Sequence, residues 1–342
     1  MKLYRSLDKT EYQMDFVVCG DGVYDQEVLS AGGRIFKIPL RTKHFFKAFN
    51  RLKKIVKENG YQNVLKLGSS PIVVFDLLAA KRGGAKQIAL RSCNAPTRLS
   101  TKQKLINSIL RPAMNRLANI KIAPSDLAAR YTFGDKLFET GKVTLLHNAL
   151  DLSIYRFSED GRANVRREFD LGNALVIGHI GRFTAQKNHA FLLDIFAEIK
   201  ANRPDAKLLL VGEGPLQNTI RQKSNDLGLT DDVIFAGVRQ DIPALLSAMD
   251  VFVFPSFYEG MPNTVIEAQA ADLPALVADT ITKGAKVTDL VDYLPLAASA
   301  GEWADASLSS ILTERKDTSD LLRASGYAIE DAVKQFIELC FA

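Results

Sequence analysis

The sequence predicts an α/β protein built from two doubly wound, Rossmann-like domains. Three observations carry this. Short apolar runs rich in β-branched residues alternate with helical stretches in both halves of the chain. The runs are too apolar to face water on either side, as in parallel sheets covered by helices. A length of 342 residues also suits two domains of about 150 residues each. In the first half the expected strands are 14–18, 34–38, 63–67, 87–90, 121–123 and 143–146, with helices clearest at 44–58 and 102–118. The second half repeats the scheme with strands at 175–180, 207–211, 233–236, 251–254 and 275–278. Its helices are expected at 188–201, 215–227, 241–248 and 263–271, and a last helix at about 327–340. The pattern breaks near HNALDLSIYRF (147–157), which gives domains 1–150 and 151–326. In such sheets ligands sit outside the carboxyl ends of the strands. Two of them facing across a cleft suit a two-substrate enzyme, although fold alone does not prove one.

Composition narrows the class. Hydrophobic content of 47% and charged content of 24% are ordinary for a globular chain. No apolar run reaches about 18 residues, so no membrane span is expected. MKLYRSLDKTEYQ is too charged for a signal peptide. Cys19, Cys93 and Cys340 form no metal or redox spacing, which fits free thiols in a reducing cytoplasm. Clustered His/Asp ligands are absent too, so neither metal nor cofactor is expected. No G-x-G-x-x-G turn follows a strand, which argues against a dinucleotide-dependent oxidoreductase.

Charge is divided unevenly. Residues 1–150 carry 26 Lys+Arg against 11 Asp+Glu, while 151–342 carry 18 against 28. A basic half suggests an anionic surface, either nucleic acid or acidic lipid, unless the lysines are merely solvated. RTKHFFKAFNRLKKIVKENG (41–60) favours lipid. Its Phe45, Phe46, Phe49, Leu52, Ile55 and Val56 recur at helical intervals, and phenylalanines inward with lysines outward is the expected arrangement. Helix 102–118 adds Lys102, Lys104, Arg111 and Arg116. No nucleic-acid module is visible, so nucleic acid is not expected as a partner.

Three motifs could carry chemistry. GRFTAQKNH (181–189) runs from a strand end to a helix start. Gly181 permits a tight turn, and Arg182 and Lys187 beside free N–H groups make a diphosphate site; solvated cations are the plainer alternative. VGEGPL (211–216) and AGVRQDIP (236–243) are further strand-to-helix turns, the first more a tight turn than a contact. In the second, Asp241 is a possible cap and the backbone at Val238 and Arg239 could meet a base edge. PSFYEGMPNTVIEAQAA (255–271) is the most informative. Glu259 falls in a loop, Pro262 suits the first helical turn, Asn263 and Thr264 can satisfy its N–H groups, and Glu267 lies a turn further in. That helix start favours phosphate, Glu267 can accept from a ribose diol and Glu259 can touch a sugar hydroxyl. By spacing alone, Glu259 as a helix cap and Glu267 as a surface charge is the slightly favoured reading.

Arg182 and Lys187, followed by Glu259 and Glu267 eight positions apart, resemble the signature of glycosyltransferase family 4, of the exopolysaccharide and capsule type. HNALDLSIYRF, SAMDVFVFPSFYEGMPNTVIEAQAA and DTITKGAKVTDLVDYL extend the likeness, which is dense from about 143 to 340. The resemblance implies a GT-B fold whose helix 327–342 packs back on the first domain. It implies retaining transfer from a nucleotide sugar, UDP being the commonest donor, to a lipid-linked or growing polysaccharide acceptor. Arg182 and Lys187 would neutralise the diphosphate without a metal, and Glu259 would touch the sugar in a loop shaped by Gly260, Met261 and Pro262. Backbone at Asn263 and Thr264 would meet phosphate, Glu267 the ribose, and Val238 and Arg239 the base. The enzyme would work peripherally on the cytoplasmic face of the plasma membrane.

Three departures are visible. The chain opens on text that resembles the residues following the family's first strand and Gly-Gly loop. ALRSCNAP (89–96) and VLKLGSS (64–70) carry none of the family's acceptor-side histidines, Asn94 alone matching a common position. Asp272 replaces a usual glycine and would have to adopt the left-handed conformation. These departures keep open a second reading, a catalytically impaired nucleotide-sugar-binding protein or a partner-dependent subunit.

Overall fold

The computed structural model describes residues 1–93 and 100–341, the side chain of Lys102 excepted. It divides into two compact units, Met1–Ala149 joined by the segment from Ile329 onward, and Leu150–Ala328. All eleven expected strands are present and every pairing is parallel.

The first unit contains β1 (Phe16–Val18), β2 (Ile35–Lys37), β3 (Asn63–Leu67), β4 (Gln87–Arg91), β5 (Ile120–Ala123) and β6 (Thr144–Leu145). These form not one sheet but two: a β1–β2 pair, and a four-stranded sheet in the order β3-β4-β5-β6. Strand alternation divides the core of the larger sheet. Val64, Ile88, Leu90 and Ala123 pack with Leu52, Val56 and Leu77 of two helices. Leu65, Ala89 and Ile122 pack on the other face with Ala332, Val333 and Phe336 of helix Ile329–Cys340. The C-terminal helix therefore completes the first unit's core. Helix Phe45–Glu58 buries Ala48, Leu52, Ile55 and Val56, but Phe46 is 78% exposed, so the inward phenylalanine face must be corrected. Phe45 points inward enough to meet Phe75 edge-on at 5.0 Å, whereas Phe46 lies one step, about 100°, around the helix. Ser100 and Gln103 form a capping box that starts helix Thr101–Leu117.

The second unit holds β7 (Val176–Ile180), β8 (Lys207–Val211), β9 (Val233–Gly237), β10 (Val251–Phe254), β11 (Ala275–Ala278) and β12 (Val291–Leu294), ordered β12-β11-β10-β7-β8-β9. β12 was not expected from sequence. Its Val291 is buried, but Asp292 is exposed and Tyr293 and Leu294 are only half-buried, as suits an edge strand without an apolar run. The chain builds β7, β8 and β9 in one direction, then returns to add β10 beside β7 and continues the other way. The topological switch therefore lies between β7 and β10, whose carboxyl ends open side by side. Asp272 is left-handed (φ 55°). Its carboxylate accepts hydrogen bonds from the Thr318 N–H (2.9 Å) and hydroxyl (2.8 Å), which offset the strain.

Candidate active site

The loops that follow β7 and β10 meet at the switch point. Gln186 Nε2 donates to the Tyr258 carbonyl (2.8 Å), the Phe257 N–H donates to the Gln186 carbonyl (2.9 Å) and Asn188 Nδ2 to the Pro255 carbonyl (3.1 Å). Asn188 itself is left-handed (φ 54°) between the turn Ala185–Lys187 and helix His189–Asn202. These bonds bring Lys187 Nζ to 2.8 Å from Glu259 Oε1, an ion pair whose side chains are only 16% and 12% exposed. The contact lacks hydrogen-bond alignment, and Oε1 is buried with no other polar partner among the described residues. Lys187 Nζ also stands 4.4 Å over the Phe254 ring. Arg182 is exposed and its guanidinium has no ion-pair or hydrogen-bond partner among the described residues. One loop thus presents a fixed cation and a free one.

The chain bends at Gly181 as expected, without a left-handed backbone, and space favours glycine there as well. A Cβ there would lie 3.0 Å from His179 Nε2 and 3.1 Å from the Lys187 side chain. The next turn is packed more closely still. Gly212 (φ 127°) would place a Cβ 2.3 Å from the Gly181 carbonyl oxygen, and Gly214 one 2.5 Å from that of Phe183. VGEGPL therefore supports the first loop backbone against backbone, with Phe183 N–H donating to Glu213 O at 3.1 Å.

Two histidines lie beneath. His179 is fully buried, its Nδ1 2.8 Å from the Val253 carbonyl, and its ring meets His189 edge-on at 4.7 Å. His189 stacks on Phe183 at 4.1 Å. Burial, with the charge of Lys187 as a second cause, pushes His189 down to about 4. Burial, then His189 and Lys187, holds His179 well below the usual imidazole range against the opposing Val253 bond. Both rings are neutral at pH 7.

Helix Asn263–Ala270 begins where expected, with Pro262 at the cap position rather than inside the first turn. Pro262 offers it no side-chain cap, and the bare Thr264 hydroxyl corrects the capping role given to Thr264. Val265 N–H instead returns to the Pro262 carbonyl (3.0 Å), and the Thr264 hydroxyl is buried without a hydrogen-bond partner. Glu267, half-buried, interacts with the Tyr155 hydroxyl; burial first, then the charge of Glu267 and its hydrogen bond, raise the Tyr155 phenol well above its ordinary value. The two glutamates thus have separate settings. Met261 Sδ lies 3.9 Å from the Tyr327 hydroxyl. Gly260 has open space where a Cβ would stand, so packing does not require glycine there. Val238 is 72% exposed beyond the end of β9. The Arg239 guanidinium is held by Glu168 (2.9 Å) and Asp241 (2.7 Å), which leaves Asp241 with no capping bond, contrary to expectation. Asn94 lies outside the described residues.

Several site residues were not singled out from sequence. Tyr155 lies in HNALDLSIYRF, where only an apolar periodicity marks it. Gln269 looks like a surface residue but is fully buried. Its Nε2 donates to the Val265 and Ala285 carbonyls, and its Oε1 accepts from the Val287 and Thr288 N–H groups at 2.9 Å. It ties the helix of Glu267 to the 285–288 loop. Among the described residues no cluster of His, Cys, Asp or Glu could hold a metal ion, and no helix is long and apolar enough to cross a membrane.

Solved structures resemble this chain closely in fold. The glycosyltransferase from Rickettsia africae ESF-5 matches with a TM-score of 0.80 at 16% identity, covering 98% of this chain and 92% of that one. Anabaena Alr3699/HepE in complex with UDP matches with a TM-score of 0.73 at 17% identity, covering 94% and 90%. Two doubly wound α/β units of this kind define the GT-B class of glycosyltransferase folds. Residues 174–312 match the family described as glycosyl transferases group 1. EpsF of Bacillus subtilis (strain 168), a protein named as a glycosyltransferase, is 34% identical over 314 residues, which span 89% of this chain and 81% of EpsF. The Escherichia coli UDP-Gal:alpha-D-GlcNAc-diphosphoundecaprenol alpha-1,3-galactosyltransferase is 25% identical over 77% of this chain and 70% of its own length. The chain belongs to the group 1 glycosyl transferases and is a transferase enzyme.

Proposed function

We propose that this enzyme transfers a hexose from a UDP-sugar to a lipid-linked or growing polysaccharide acceptor in exopolysaccharide or capsule assembly, with retention at the anomeric carbon. The observation that carries the reading is the Lys187–Glu259 pair at the switch point, with the partner-free Arg182 in the same loop. Arg182 and Lys187 face the diphosphate and balance its charge without a divalent metal. Glu259, fixed by Lys187, accepts from a sugar hydroxyl in the loop of Gly260, Met261 and Pro262. The uncapped start of helix Asn263–Ala270 adds dipole and backbone donors toward phosphate. Glu267 accepts from the ribose diol, oriented by Tyr155, and backbone at Val238 and Arg239 meets the base.

In the reaction the bond between anomeric carbon and phosphate oxygen breaks. The acceptor hydroxyl attacks from the face that the phosphate leaves, and its proton passes to the departing phosphate oxygen. Charge grows on the diphosphate as the bond opens, so cations already in place lower the barrier. The donor and lipid diphosphate acceptor in the printed name of the Escherichia coli relative support this choice of substrates.

The acceptor's setting suggests work at an anionic membrane surface on the cytoplasmic side. The first 150 residues carry the basic excess, and helices Phe45–Glu58 and Thr101–Leu117 expose Phe46, Leu105 (60%) and Ile109 (64%) among lysines and arginines. The test is transfer from radiolabelled nucleotide sugars to extracted membrane lipids, with and without EDTA. We expect EDTA-insensitive transfer, reduced by about 10²–10³-fold in Arg182→Ala. Absence of both transfer and binding with every UDP-, GDP- and dTDP-sugar would sink the reading. Flotation with phosphatidylserine vesicles at low salt tests the surface, and no flotation there rejects it.

A further inference from the structure

The two cations of the loop after β7 rest on one column of rings. Phe183, which follows Arg182, is fully buried and stacks on His189 at 4.1 Å and 17°. His189 meets His179 edge-on at 4.7 Å. His179 in turn stacks on Phe252 at 6.0 Å and on Phe254 at 5.5 Å. Phe254 carries the Lys187 ammonium 4.4 Å from its ring centre. The column thus begins beside one cation and ends under the other, with the two imidazoles in its middle. Phe183 is held at both peptide groups: its N–H donates to the Glu213 carbonyl and its carbonyl accepts from the Leu216 N–H, each at 3.1 Å.

His179 also extends the sheet. The pairing of β7 with β10 runs no further than Gly178 and Phe252. One residue on, His179 Nδ1 lies 2.8 Å from the Val253 carbonyl, so a side-chain bond takes over from the ladder. A carbonyl only accepts, so Nδ1 holds the ring's proton and Nε2 presents a lone pair. That Nε2 and both nitrogens of His189 are buried with no hydrogen-bond partner among the described residues. A second proton on either ring would add an N–H without an acceptor and a charge without a counter-ion. Cations already stand at both ends of the column. Lys187, itself paired with Glu259, lies over Phe254. Arg221 of helix Gln217–Asp226 lies 4.0 Å from the ring centre of Phe235, which stacks on Phe183 at 5.9 Å. The column suits neutral rings only.

We propose that His179 and His189 are positioning residues of the transferase. As neutral imidazoles they join the ring behind Arg182 to the ring under Lys187 and so fix the spacing of the two cations, an inference that rests on the diphosphate role given to those cations above. Buried beneath the loop, they act through Phe183 and Phe254. Phenylalanine at 189 keeps the stack without the nitrogens, whereas leucine fills the volume without a flat face for Phe183 to lie on.

The test titrates UDP into the full chain by calorimetry at neutral pH. His189→Leu should raise the UDP Kd by about tenfold, and His189→Phe should stay within about twofold of the parent. In an Arg182→Ala background His189→Leu should cost less than about threefold, since the ring acts through that cation. His179→Leu should lose its effect in the same way beside Lys187→Met. Additive losses would mark a merely structural role and overturn the proposal, as would an unchanged Kd in both leucine variants. If a leucine variant does not fold, the NMR signals of the imidazoles in the unaltered chain decide. A column that must be neutral to bind makes UDP oppose protonation. At about pH 5 His189 should therefore be several-fold less protonated with UDP than without, since an affinity difference of about tenfold lowers its midpoint by about one pH unit. Greater protonation with UDP would show a ring that only senses the diphosphate charge, and that result also overturns the proposal. Failure of UDP, GDP and dTDP alike to bind the parent would reject the donor reading and this inference with it. Binding that is lost in Arg182→Ala but intact in both leucine variants would reject this inference alone.

Discussion

Replacing Lys187 with methionine removes the only cation paired with the Glu259 carboxylate among the described residues and keeps a stem of similar length. The two side chains are 16% and 12% exposed and 2.8 Å apart. Breaking a fully buried pair by removing one partner costs about 3–5 kcal/mol, and the residual exposure here brings that to about 2–4 kcal/mol. Loss of the ammonium over the Phe254 ring, 4.4 Å away, falls within that range. For a unit the size of Leu150–Ala328, the unfolding midpoint should drop by about 6–12 °C. Lys187→Met/Glu259→Gln removes both charges and should recover to within about 1 kcal/mol of the parent, a coupling energy of at least about 2 kcal/mol. Activity should not follow: both variants should lose about 10²–10³-fold in kcat, because the cation that answers the leaving diphosphate is gone from each. Urea unfolding of the four chains measures the cycle, and donor turnover under the same conditions measures the catalysis. A coupling energy below about 0.5 kcal/mol would refute the structural role of the pair. Full turnover in Lys187→Met would refute its chemical role.

Other outcomes follow from the same geometry. His189 has its folded value lowered to about 4, so between its ordinary value and 4 the unfolded chain binds a proton that the native chain does not. Stability therefore falls as pH drops through that window, by up to about 3 kcal/mol, and His189→Phe should flatten the slope in urea unfolding at pH 4–7. Gly212→Ala should cost more than Gly181→Ala, about 3 against about 1 kcal/mol, because its Cβ meets backbone at 2.3 Å and φ is left-handed, while Gly181→Ala displaces only the Lys187 stem and His179. Asp272→Ala should destabilise by about 2–3 kcal/mol, since it keeps the left-handed strain and loses both Thr318 bonds; Asp272→Gly should be milder by about 1 kcal/mol, and thermal melts compare them. Tyr155→Phe should raise KM for the donor severalfold with kcat little changed if, as proposed, Glu267, which the hydroxyl bonds, holds the ribose.

The second unit was legible in the sequence because its strands are continuous apolar runs and its site loops follow them directly. VFVF and LVIGHI could hardly be anything but buried strands, and Glu259 and Lys187 stand where such strands end. β12 was invisible for the opposite reason, as an edge strand needs no apolar run. Side chains that act through long-range partners were also hidden. Gln269 bonds a loop some sixteen residues away, and Tyr155 finds Glu267 across more than a hundred residues. The capping roles assigned to Asp241 and Thr264 were sound local chemistry overridden by tertiary context, since Arg239 draws the Asp241 carboxylate away from the helix. Gly181 does lie in a bend, but the side chains that pack against it, His179 and Lys187, could not be read from the sequence. Phe46 shows the limit of periodicity, because apolar residues spaced on a helix need not all face inward.

The return of helix Ile329–Cys340 to the first unit has a consequence for how the protein is made. Leu150–Ala328 is one uninterrupted stretch, so all of its core has been synthesised before the last helix. Tyr4, Ala89 and Ile122 must wait for Phe336, which emerges more than two hundred residues after Ile122. Closing so long a loop is slow relative to local pairing, and the apolar face that awaits the helix stays exposed in the meantime. The amino-terminal unit, synthesised first, is thus the last to be finished, and a chaperone that guards nascent chains would find its work there.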